Sequence, residues 1–107
     1  MDGRIAILVT TVDGRDRARE LARAALDGKL AACVQISPVE SLYVWEGKLH
    51  EEPEFRLEMK HRAEDYAALS ALVRRLHPYR TPEILRLDVS AADADYVDWL
   101  TKSTTRP

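Results

Sequence analysis

The sequence predicts an α+β protein in which two helices cover one face of an antiparallel four-stranded sheet. Three observations lead there. Strand-like and helix-like segments follow one another in the order β-α-β-β-α-β, one strand alternates strictly between apolar and charged residues, and each long helix carries a single apolar stripe. The 107 residues fit one domain spanning the whole chain.

Arg4 to Val12 is apolar and β-branched almost throughout, which suits a strand inside the sheet. Asp13 is placed to cap the next helix. Ala18, Leu21, Ala22, Ala25 and Leu26 recur at helical spacing, opposite Arg15, Arg19, Glu20 and Arg23, and Gly28 ends the helix. Ala31 to Ile36 is the second strand, and Pro38 predicts a bulge, bend or restart. Leu42 to Leu49 is again strand-like. His50-Glu51-Glu52-Pro53 reads as a polar loop with solvated carboxylates. Beyond it Phe55, Leu57, Met59 and His61 alternate with Glu54, Arg56, Glu58, Lys60 and Arg62. The two runs are expected to pair as a hairpin. Tyr66, Leu69, Leu72, Val73 and Leu76 form the stripe of a second helix, ended by His77-Pro78. Pro82 to Val89 is the last strand, and Ala91 to Lys102 a short helix with Tyr96, Trp99 and Leu100 on one face. The tail from Ser103 to Pro107 is expected to fray.

Sixteen basic and eighteen acidic residues leave a net charge of −2, which gives no electrostatic footprint for nucleic acid or an anionic membrane. The longest apolar stretch, Ile5 to Val9, is far shorter than the roughly 18 residues of a membrane span. One cysteine, Cys33, cannot form an internal disulfide. With no export signal, a reducing cytoplasm is the expected compartment.

Catalytic patterns are not evident. Four glycines cannot build a phosphate cradle, and no nucleophile elbow is present. Cys33 lies in an apolar strand and reads as a buried, protonated thiol. His50, His61 and His77 are scattered without metal-ligand spacing. His61 reads as a satisfied, half-buried core histidine and His50 as an exposed loop residue. The expectation is a protein that is not an enzyme and requires no cofactor.

Three stretches carry a resemblance: LAACVQI from Leu30 to Ile36, SLYVWEGKL from Ser41 to Leu49, and HPYRTPEIL from His77 to Leu85. In this order and spacing the chain resembles the CutA divalent-cation tolerance family over about Ile5 to Leu100. The resemblance implies a ferredoxin-like fold, a homotrimer and a response to copper and other divalent metal ions, with copper bound weakly if directly. It also implies Cys33 and His77 as metal ligands, although Val9 and Leu76 stand where some members have a further cysteine and histidine. Tyr43, Trp45 and Trp99 would serve packing or the trimer interface. Lys60 and Glu83 would form an ion pair at the subunit boundary, or Lys60, His77, Tyr79 and Glu83 would line a cleft between subunits for a small anion or metal. The alternative is a small-molecule signalling or scaffold trimer similar to PII proteins, with indirect metal effects.

Overall fold

The computed structural model describes residues 4–107. The elements are β1 (Ile5–Val12), α1 (Arg15–Asp27), β2 (Cys33–Trp45), β3 (Lys48–Arg62), α2 (Tyr66–Leu76), β4 (Ile84–Asp88) and α3 (Ala94–Ser103). A 3-10 turn, Ala63–Asp65, joins β3 to α2. The strands form one antiparallel sheet in the order β2-β3-β1-β4. This is the ferredoxin-like arrangement predicted from the element order.

The main core lies between the sheet and the helical pair. Leu8 and Val12 of β1 and Leu57 and Met59 of β3 meet Leu21, Leu69 and Val73. Ala18, Ala22 and Ala25 are buried along α1, so its small residues let the helix approach the sheet closely. On the opposite face α3 buries Val97 and Leu100 against Ile5.

Five local expectations are corrected. Asp13 does not cap α1; Gly14 is the N-cap residue, and no side chain caps the helix. Pro38 causes no bulge or restart, because the register runs unbroken from Cys33↔Lys60 to Trp45↔Lys48. Counting back from that closing pair, alternate residues of β2 bond to β3. Pro38 falls between them, with its nitrogen toward the open edge, so no ladder bond is lost. The hairpin turn is at Glu46-Gly47, inside the segment read as one strand, and His50 to Pro53 are part of β3. Both turn residues have positive φ, 51° and 77°, as a tight two-residue hairpin demands. Finally, the tail is pinned. Arg62 donates to Thr104 Oγ1 and the Thr101 carbonyl, and Arg106 donates to Asp65 and the Lys29 carbonyl.

Two helix faces also differ from expectation. Asp93 caps α3 by accepting from the Asp95 and Tyr96 amides, which moves its start to Ala94. That phase buries Val97 with Leu100 and leaves Trp99 46% exposed. On α2, Leu76 is exposed.

The hairpin outruns the sheet. β1 reaches only to the Val12↔Phe55 pair, so residues 39–54 extend beyond it as a two-stranded arm. Val44 is 70% exposed and Leu49 64%.

Candidate functional site

At the root of the arm lies an open groove of about 720 Å³ between the β2–β3 ribbon and the segment between α2 and β4. Strand alternation brings Tyr43, Trp45, Glu52 and Glu54 to one side of the arm, because cross-strand partners share a face. Tyr79, Arg80 and Glu83 enter from the other wall, and Thr11 and Asp13 come from the end of β1.

His77 holds this second wall in place. Its Nε2–H donates to the Thr11 carbonyl at 2.9 Å, and its Nδ1 accepts the Tyr79 amide at 3.1 Å. The imidazole therefore staples the end of β1 to the chain leaving α2, with only 8% of the residue exposed. Burial lowers its pKa from the ordinary histidine value, against the opposing pull of the Thr11 carbonyl, Asp13 and Glu54. The stapled Tyr79 packs edge-on against His77, and its hydroxyl donates to Glu54 Oε2 at 2.6 Å. Burial, followed by the Glu54 hydrogen bond, raises the Tyr79 pKa and keeps the hydroxyl a donor. Further out, Tyr43 donates to Glu52 and stacks on His50.

The sequence-predicted residues divide between two places. Tyr43, Trp45, Tyr79 and Glu83 line the groove, with His77 directly behind it. Lys60 does not: it bonds Gln35 at 2.7 Å and borders an apolar hollow with Ile7 and Tyr96 at the other end of the sheet. Within one copy no Lys60–Glu83 pair forms among the described residues, nor a cleft holding Lys60 with His77 and Tyr79; the pair or cleft expected at the subunit boundary involves a second copy. The cause is register: Lys60 stands opposite Ile7, whereas the His77 staple is at Thr11, four residues further along β1.

The same register separates Cys33 from His77. Cys33 pairs with Lys60, so it lies about 13 Å along the sheet from the His77 anchor at roughly 3.3 Å per strand residue. Cys33 is half-buried rather than enclosed. Both His77 nitrogens are engaged by backbone groups, leaving no free lone pair. No three metal-ligating side chains converge among the described residues. Cys33 and His77 therefore do not fit a shared metal site within one copy. Trp99 lies on the exposed side of α3, 5.5 Å from Tyr96, remote from the groove lining.

Sequence reading missed Asp13, Glu52 and Glu54 as one carboxylate-rich lining. The signal was the alternation itself. Had the turn been placed at Glu46-Gly47, Glu52 and Glu54 would have fallen on the Tyr43 face.

The fold and groove define a small ferredoxin-like α+β protein with a projecting hairpin and an acidic, aromatic-walled groove at its root. Residues 6–103 match the family described as CutA1 divalent ion tolerance protein, and the chain belongs to that family. It is 44% identical over 100 residues to the divalent-cation tolerance protein CutA of Yersinia pestis (strain Pestoides F), covering 92% of this chain and 83% of that protein. The structure of CutA from Synechococcus elongatus PCC7942 superposes with a TM-score of 0.94 at 37% identity, covering 98% of this chain and 95% of that one. The periplasmic divalent cation tolerance protein CutA from Archaeoglobus fulgidus gives 0.92 at 31% identity, covering 94% and 99%.

Proposed function

We propose that the protein acts in divalent-cation tolerance as a homotrimeric binding protein rather than an enzyme. The observation that carries the assembly is the arm. A two-stranded ribbon is marginal alone in water, and this one leaves Val44 and Leu49 largely bare. Leu85 and Leu87, on the short edge strand β4, are 50% and 45% exposed. Setting the arm of one copy against β4 of the next around a threefold axis covers both patches. Because one copy does not bring together enough ligands, tight copper binding requires donors from more than one subunit. Copper at His77 further requires the Tyr79 amide to give up Nδ1.

Two measurements test this reading. Light scattering at micromolar concentration should give three times the 12.1 kDa chain mass, and a monomer mass would refute the trimer. Calorimetric copper titration of wild type, Cys33→Ala and His77→Ala at pH 7.5 and 5.5 should show modest affinity that weakens at the lower pH. Binding unchanged in both variants and at both pH values would remove these residues from the metal chemistry.

A further inference from the structure

We propose that the arm tip of one copy seats its Trp45 ring in an apolar hollow at the far end of the next copy's sheet, so that each hollow is completed by a neighbour's side chain. The proposal rests on the homotrimeric reading and names a contact which that reading leaves open.

The hollow, about 410 Å³, lies between the start of β1 and α3, on the sheet face opposite α1 and α2. Ile7, Val89, Ala92 and Tyr96 line it, and the surface they offer is almost wholly apolar. Trp99 stands 5.5 Å from the Tyr96 ring, so the wall on that side is aromatic. A copy does not reach its own hollow. Lys60 borders the hollow and Lys48 stands opposite Trp45, and the twelve residues of β3 between them span about 40 Å. The ring and the hollow therefore meet only between copies.

Three observations match the tip to the hollow. Trp45 is the last residue of β2 and is 50% exposed, and tryptophan in a desolvated pocket is an enriched anchor of protein interfaces. The charges are complementary: Glu46 and Lys48 flank Gly47 at the tip, and Lys60 and Asp93 are the charged residues at the hollow. None of these four is in an ion pair among the described residues, and the Lys60 ammonium donates to the neutral Gln35 side chain. The hollow is also continuous with the patch assigned to assembly. Ile7 is the cross-strand partner of Leu87 on β4, so the two share a face, and Leu87 is 45% exposed.

The test uses the assembled protein carrying Trp99→Phe, which leaves Trp45 as its sole tryptophan. Ala92→Phe, added to fill the hollow, should red-shift the Trp45 emission and raise its acrylamide quenching severalfold. Charge reversal tests the same contact without touching the ring. Lys60→Glu and Glu46→Lys should each raise the dissociation constant of the assembly about tenfold, and the double variant should return to within about threefold of the parent. Every variant is checked for parental circular dichroism, and if Ala92→Phe does not fold the charge reversals decide. A trimer mass with Trp45 equally quenched in parent and Ala92→Phe, or charge reversals whose effects simply add, would overturn the proposal and leave the trimer standing. A monomer mass for the unaltered protein would overturn both.

Discussion

Replacing His77 with alanine separates a staple from a metal ligand. The ring makes two hydrogen bonds, at 2.9 Å to Thr11 and 3.1 Å to Tyr79. Each contributes about 0.5–1.5 kcal/mol net, and the buried ring adds packing that alanine cannot supply. Tyr79 is only partly buried, so water reaches part of what is exposed and limits the loss. The expected cost is about 2–4 kcal/mol of stability with no metal present. The assay is urea unfolding of EDTA-treated wild type and His77→Ala at one protein concentration, since assembly makes stability concentration-dependent. Metal-free stabilities agreeing within about 0.5 kcal/mol would refute the staple, because a residue whose only role is ligation leaves the apo protein unchanged.

The protein should lose stability as pH falls below about 6.5. Burial depresses the pKa of both His61 and His77, so the unfolded chain binds more protons there; the stabilisation is complete above the unfolded value and fades through the folded one. His61 is fully buried with Nε2 unpartnered among the described residues, and His61→Leu should flatten the acid limb of a stability–pH curve; an unaltered limb would exclude it. Leu49→Asp should leave the far-ultraviolet circular dichroism intact, since the residue is 64% exposed, yet shift the light-scattering mass toward 12.1 kDa. Retention of the full assembly would show that the arm is not the contact. Arg106→Ala should cost about 1–2 kcal/mol in urea unfolding and speed carboxypeptidase trimming, because it strands Asp65, whose side chain is 9% exposed. Unchanged trimming would mean that the tail is held elsewhere.

Much of the fold was legible because burial imprints a period. The Phe55, Leu57, Met59, His61 alternation located β3 against the helical layer, and His77-Pro78 marked the end of α2 by steric rule. The turn was illegible because Glu46-Gly47 lacks the asparagine or aspartate that usually announces a tight hairpin, and strand-like residues flank it on both sides. That single error hid the carboxylate face of the groove. Lys60 was grouped with Tyr79 and Glu83 on the family resemblance and across a subunit boundary; register, which sequence does not display, keeps it apart from them within one copy. The pinned tail escaped notice for a related reason: the partners of Arg106, at Asp65 and Lys29, are more than forty residues away in the chain. His77 entered as a ligand through the family resemblance, and no sequence signal announced the two backbone hydrogen bonds that make it a brace.

The two prolines at the root of the arm have a consequence for solubility. Pro38 directs its ring nitrogen outward from β2. Pro53, two residues past the end of β1 in the register, does the same on the opposite edge of the ribbon. Each removes an N–H where a stray strand would otherwise dock and extend the sheet. A long exposed ribbon bearing leucine and valine is an obvious template for fibril growth, and on both flanks it meets a missing donor. The prolines leave the native register untouched while interrupting continuous strand addition, so a single copy is protected from polymerising through the arm.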